Sequence, residues 1–291
     1  MGFQINTNTA ANTAYRNLSS TQGDMSKSLE KLSSGLRINR AADDAAGLSI
    51  SEGLRSQISG LGVAARNAQD GISVVQTAEG ALTEVHSILQ RVRDLAVQSG
   101  NDSNNTEARI AIQTEVTALA DELTRIGSST NFNGIDLLAA DKSLTFQVGA
   151  GDKASNDQVS VKLTNVTTIA NAIGGTPGAA DANGTPGART GGLKFDSAGE
   201  ALKSITAIDA QIEKVSQARS ELGAVQNRFE SAINSINVSQ ENLSAAKSRI
   251  TDTDMAKEMA DFTRSNILSQ AGTAMLAQAN QMNQGVLQLL R

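Results

Sequence analysis

Two long stripes of apolar residues at helical spacing occupy the two ends of this chain, and they constrain its fold more than any other feature. Leu18, Met25, Leu29, Leu32 and Leu36 step by sevens, fours and threes. Leu268, Ala271, Met275, Ala279, Met282, Val286 and Leu289 step by threes and fours near the other end. Such steps place side chains on one face of a helix. Chain ends fray unless something holds them. Apolar ends therefore need a partner, and the candidates are the opposite end and neighbouring copies of the chain.

A chain of 291 residues can hold one to three domains with real cores. Its net charge of −5 offers no basic footprint, so nucleic acid is not an expected partner. Cysteine is absent, which excludes disulfides, thiolate catalysis and thiolate metal sites and suits a chain that leaves the cell unfolded. Aromatics make up only 2% of the residues, so cores must be built from Leu, Ile, Val, Met and Ala, in closely packed helices. Met1 to Ala14 lacks the basic start and apolar run of a cleavable signal. No stretch approaches the roughly 20 apolar residues of a membrane span, so no membrane insertion is expected.

Residues 5 to about 36 read as one amphipathic helix. Its polar positions are Asn, Ser, Thr and Gln rather than dense charge, which suits a face buried against partners. Gly35 and Gly47, with Asp43 and Asp44 between them, predict a break and a helix restart with the acids at the new N-terminus. A helix from Leu48 to about Ser99 carries Leu82, Val85, Leu89, Val92 and Ala96 on its core face. After a turn at 99–105, Ile112, Val116, Leu119, Leu123 and Ile126 mark another helix, ending near Gly127 before a tight turn at Asn131-Phe132-Asn133-Gly134. The period then becomes 2. Leu144, Phe146 and Val148 alternate with polar residues, as do Val159, Val161 and Leu163, predicting a β-hairpin near 143–163.

Residues 174–192 are low in complexity and hold both prolines, Pro177 and Pro186. They carry too few large apolar groups to offset their ordering entropy, and read as an exposed loop where the chain turns back. From Ser197 helical spacing resumes through Ile205, Ile208, Ile212, Val215, Leu222, Phe229, Ile233, Ile236 and Leu243, and a last helix follows Asp254. The layout is nested, with the two ends brought side by side.

Chemistry is hard to find. His86 is the only histidine and lies in a helical stretch, where packing or surface roles are commonest. No zinc-binding His pair and no phosphate-binding Gly-x-x-x-x-Gly-Lys loop exist, so neither a metal nor a cofactor is expected. Asp43 with Asp44, and Asp252 with Asp254, are explained by helix starts and turns more simply than by acid–base catalysis.

The terminal stripes have two readings. They could be the core of a monomeric bundle. Yet ordering about 36 residues costs on the order of 40–50 kcal/mol of conformational entropy, and two helices form only a thin seam. A helix of that length extends about 50 Å, farther than an inner bundle can cover. Ends that are loose alone and ordered by stacked copies fit this better.

Several long motifs resemble bacterial flagellin. They are Ile5-Asn6-Thr7-Asn8, the run from Leu32 to Ser51, the run from Gln90 to Gln98, Asn131 to Gly134, and almost all of Asp252 to Leu290. Together they cover roughly the first 140 and last 95 residues. The resemblance implies a mainly α fold: a long antiparallel helical bundle and a terminal coiled coil, with a small β-hairpin region. It implies a terminal coiled-coil domain of residues 1–42 with 250–291. An inner helical domain would span 43–173 with 193–249, and the loop at 174–192 would replace larger outer domains.

The implied function is that of a structural subunit, with no enzymatic role, that self-assembles into the extracellular flagellar filament for motility. Family members are exported unfolded by a type III apparatus with a chaperone on the C-terminal helix, and they meet cap and hook-junction proteins. Leu18, Met25, Leu29, Leu32, Leu36, Leu268, Met275, Met282, Val286 and Leu289 would pack between subunits. Arg91, Leu95 and Glu115 match positions that a host Toll-like immune receptor reads in many flagellins. A hook–filament junction protein or a secreted helical adhesin is the alternative, since junction proteins share parts of these termini.

Overall fold

The structure, a computed structural model, describes residues 8–178 and 187–289, with side chains over 8–176 and 190–281. Its elements run α1 (Thr9–Ser34), α2 (Ala45–Ser99), α3 (Thr106–Ser129), β1 (Asn131–Phe132), β2 (Ile135–Asp136), β3 (Lys142–Gln147) and α4 (Ala154–Asp157). They continue with β4 (Gln158–Leu163), α5 (Val166–Gly174), β5 (Thr176–Gly178), β6 (Gly187–Thr190), α6 (Ala198–Thr251) and α7 (Met255–Leu289). The fold is mainly α with a small β part, as the periodicities predict.

Apart from the short α4, the helices begin where a short polar side chain can take up a free amide. Asn8 Oδ1 accepts from the Ala11 amide, Asn105 Oδ1 from Ala108 and Asn165 Oδ1 from Thr168. Asp254 Oδ1 accepts from Ala256 and Lys257 at the start of α7. The acidic pair predicted at the helix restart divides its work. Asp44 Oδ1 accepts from the Gly47 amide and caps α2, whereas Asp43 Oδ2 turns back to the amides of Arg40 and Asn39.

The chain divides into two compact units, Met1–Ile58 with Glu241–Arg291 and Ser59–Gln240. The second holds the main core. Leu82, Val85, Leu89, Val92 and Ala96 of α2 are all buried, as are Ile112, Val116, Leu123 and Ile126 of α3. From α6, Ile208, Val215, Leu222 and Phe229 join them. The ring of Phe229 meets that of Phe146 edge-on, with centroids 5.6 Å apart and planes at 89°. Exposed ion pairs tie α2 to its neighbours: Arg93 Nε to Asp209 at 2.6 Å, and Arg91 Nη2 to Glu115 at 2.7 Å.

The β part consists of antiparallel pairs. β1 and β2 close over Asn133 and Gly134, both with positive φ, which is the Asn-Gly hairpin turn. β3 pairs with β4 so that Leu144 faces Val161 and Phe146 faces Val159. The predicted alternation thus brings its apolar residues onto one face, against the helical core. The segment predicted as an exposed loop is ordered at its flanks. α5 buries Ile169, Ala170 and Ile173 against the core, and β5 pairs with β6. The centre of that segment, 179–186, lies outside the described residues.

Candidate functional site

Within the first unit, α1 and α7 pack antiparallel. Three contacts give the direction. The Asn8 side-chain amide donates to the Ala279 carbonyl at 3.0 Å. Leu18 lies over Gly272, where an added Cβ would stand 3.3 Å from Leu18 Cδ1. Leu36 bridges to Asp252 as an antiparallel pair. As positions in α1 rise, their partners in α7 fall. The inner face of α7 carries small residues at Gly272 and Ala279, and this lets α1 approach closely.

Much of the apolar surface of α7 is left uncovered. Met255, Met259, Thr263, Ile267, Ala271 and Met275 recur every four residues in a row that winds about half-way round the helix, reaching the edge of the α1 groove at Ala271 and Met275, and all six are exposed. Leu268, 53% exposed, stands beside this row, and Met275 at its far end is 65% exposed. A row at four-residue spacing forms a ridge of the kind that packs into a groove of another helix. An apolar groove between α1 and α7 is lined by Thr13, Asn17, Leu18, Leu268, Gly272 and Met275. Tyr15, Leu29 and Leu36 add exposed apolar surface from the α1 side. Apolar exposure gathered along one row and groove, rather than scattered singly, is the kind that marks an interaction surface.

The residues expected to pack between copies fall into three groups. Leu29, Leu36, Leu268 and Met275 are exposed; Leu18, Met25 and Leu32 are half-buried. The side chains of Met282, Val286 and Leu289 lie outside the described residues, although the backbone of α7 reaches Leu289. Met255, Met259 and Ile267 belong to the exposed ridge but were not among the expected residues. Their four-residue spacing in a Met- and Ala-rich helix was the available signal. Asn8 belongs to the Ile5-Asn6-Thr7-Asn8 motif, but its reach to Ala279 has no signature in sequence.

The connections between α1 and α2, and between α6 and α7, are stapled to each other. Gly35 ends α1 with φ of 72°, a left-handed conformation that glycine adopts without strain. The Arg37 amide then donates to the Thr251 carbonyl at 2.6 Å, and its guanidinium donates twice to the Ile250 carbonyl. The Thr253 amide donates to the Gly35 carbonyl at 3.0 Å. Arg40 closes the turn by pairing with Glu30 at 2.8 Å. Hydrogen bonds from the Arg40 and Asn39 amides hold the Asp43 carboxyl below its usual value. Those from Ser248 and Thr251 do the same for Asp252. All four acids singled out in sequence thus serve caps and turns.

On the second unit, exposed Arg91 and half-buried Glu115 are bonded to each other, Arg91 donating through both Nε and Nη2 to Glu115 Oε1. Leu95, one turn further along α2, is only 2% exposed and belongs to the core. His86 contacts Gln90 on its own helix. Among the described residues, no three His, Cys, Asp or Glu side chains are grouped so as to hold a metal ion.

Comparison with known proteins adds an independent line. The family model for the bacterial flagellin N-terminal helical region matches residues 5–143, and that for the C-terminal helical region matches 205–290. The chain is 48% identical to a flagellin of Bacillus subtilis (strain 168), covering 99% of this chain and 100% of the relative. It is 46% identical to the flagellar filament 33 kDa core protein of Treponema phagedenis, with 99% of both chains covered. In fold it is similar to a flagellar hook-associated protein from Vibrio parahaemolyticus, at a TM-score of 0.55 and 16% identity over 72% of this chain and all of that one. The two terminal regions matched by family models contain α1 and α7, whose apolar faces were described above, and with near full-length identity to filament proteins they leave one conclusion: the chain belongs to the bacterial flagellin family.

Proposed function

We propose that this chain, a structural subunit of the bacterial flagellar filament, polymerises through the apolar faces that α1 and α7 leave uncovered. The observation that carries this reading is the exposed row from Met255 to Met275 on α7. Burying such a row against neighbouring copies contributes about 25 cal/mol per Å² of apolar surface. A head-to-tail contact of this kind, repeated between copies with a rotation that does not close a ring, gives an open polymer. Leu18, Met25, Leu29, Leu32, Leu36, Leu268 and Met275 are the proposed packing residues, and Met282, Val286 and Leu289 extend them on the family pattern. The terminal domain corresponds on this reading to residues 1–42 with 250–291, and the inner domain to 43–173 with 193–249.

The subunit acts as a building block and not as an enzyme. The four acids weighed as catalytic pairs, Asp43, Asp44, Asp252 and Asp254, serve caps and turns, which supports this. It works outside the cell after export as an unfolded chain, and its lack of cysteine suits that route. The same uncovered surface of α7 suits an export chaperone before assembly, and cap and hook-junction proteins would meet it during growth. Recognition by a host Toll-like receptor would read exposed Arg91 and half-buried Glu115 directly, with Leu95 acting through the packing beneath them. Electron microscopy tests the assembly reading. The full chain forms long filaments, and a chain lacking residues 255–291 stays soluble, partly helical and unpolymerised. Long filaments from the truncated chain would refute it.

A further inference from the structure

The six methionines are Met1, Met25, Met255, Met259, Met275 and Met282, and all fall in the unit that contains α1 and α7. The other unit, Ser59–Gln240, has none. With no cysteine in the chain, these thioethers are its readily oxidised sulfurs. Three of them stand on the exposed ridge: Met255 is 48%, Met259 50% and Met275 65% exposed.

We infer that Met255, Met259 and Met275 form an oxidation-sensitive modification site whose substrate is a hydroperoxide, and that its oxidation removes the free subunit from polymerisation. This rests on the reading that the ridge is buried between copies. The step balances simply. A sulfur lone pair attacks one oxygen of hydrogen peroxide, the O–O bond breaks as an S–O bond forms, and the proton on the transferred oxygen passes to the departing hydroxide. Sulfur is oxidised from sulfide to sulfoxide, and hydrogen peroxide is reduced to water. The product is polar and chiral where an apolar, flexible side chain stood, and it disrupts a Met-rich interface. Susceptibility follows exposure, so the free subunit is vulnerable at all three sulfurs, and a copy already packed in a polymer is shielded. The half-buried Met25 reacts more slowly.

Free subunits and preassembled filaments are each treated with hydrogen peroxide, and sulfoxide at every methionine is read by peptide mass spectrometry. Met255, Met259 and Met275 should convert about tenfold more slowly in filaments than in free subunits, because reactivity tracks exposure. Converted subunits should need about tenfold more protein to polymerise, read by sedimentation, and methionine sulfoxide reductase should restore assembly. The variant carrying M255L, M259L and M275L is read against its own untreated sample, and the concentration at which it polymerises should not shift after peroxide. Converted wild-type subunits that polymerise at an unchanged concentration overturn the inference and leave the assembly reading standing. A leucine variant that still loses assembly after peroxide also overturns it. Equal conversion in filaments and free subunits strikes instead at the burial of the ridge, and takes both readings down together.

Discussion

The Asn8 side chain does two things at once: its Oδ1 accepts from the Ala11 amide to cap α1, and its Nδ2 donates to the Ala279 carbonyl of α7 at 3.0 Å. One residue therefore starts the first helix and ties it to the last, across 271 positions of sequence. Replacing it with alanine removes both bonds. We predict a loss of about 1 kcal/mol from the missing cap, with fraying at the start of α1. Nuclear magnetic resonance should show the loss at the Ala11 amide and around Ala279, while the resonances of Leu82 to Val92 stay in place.

Met275→Asp should block polymerisation and leave the isolated subunit folded. The side chain is mostly exposed in the single chain, so a carboxylate there stays hydrated and costs little. Buried against a neighbour, an unpaired charge costs several kcal/mol. Circular dichroism of the variant should match the parent, and sedimentation should find no polymer. A variant that pellets like the parent would contradict the assignment of this face.

Acid should loosen the staple between the two connections. Asp43 and Asp252 have carboxyl values depressed by hydrogen bonds from Arg40 and Asn39, and from Ser248 and Thr251. A depressed carboxylate stabilises the fold above its unfolded value of about 3.9, and that contribution is lost as pH falls through the lower folded value. The amide resonances of Arg40 and Asn39 should titrate below the ordinary aspartate range and stop titrating in Asp43→Asn. Titration at the ordinary value would show that those bonds are absent in solution.

Phe229 is fully buried and stacks edge-on against Phe146. Phe229→Ala should destabilise the Ser59–Gln240 unit by about 3–5 kcal/mol, the usual cost of removing a core phenylalanine. Thermal unfolding of dilute subunit would measure it, and a change below about 1 kcal/mol would mean that the site refills by repacking.

The inner helices were legible because each is buried on one side only. Leu82, Val85, Leu89 and Val92 keep helical spacing, and each faces the core. The β3–β4 hairpin was legible for the same reason at period 2. α5 was not read, since Val166–Gly174 is short and its Ile and Ala residues could serve strand or loop equally. The harder failure concerns α7. Leu268, Ala271, Met275 and Ala279 form one run by spacing, but only Ala279 is buried against α1. Periodicity identifies a helix whose apolar residues occupy more than one face; it cannot say which face meets its own chain and which meets another. That choice depends on backbone approach, here permitted by Gly272. Leu95 is a similar case. Motif likeness marks it for recognition, while its spacing from Val92 places it on the core face, where the structure has it.

Native-state hydrogen exchange, measured on dilute subunit and on filament, puts the central claim to the most direct test. Amides of α1 and α7 should exchange far faster than those of Leu82 to Val92 in the dilute subunit, because few buried apolar contacts hold them, and should become protected on polymerisation. Terminal helices protected in the lone subunit as strongly as that inner core would mean that they are complete without neighbours.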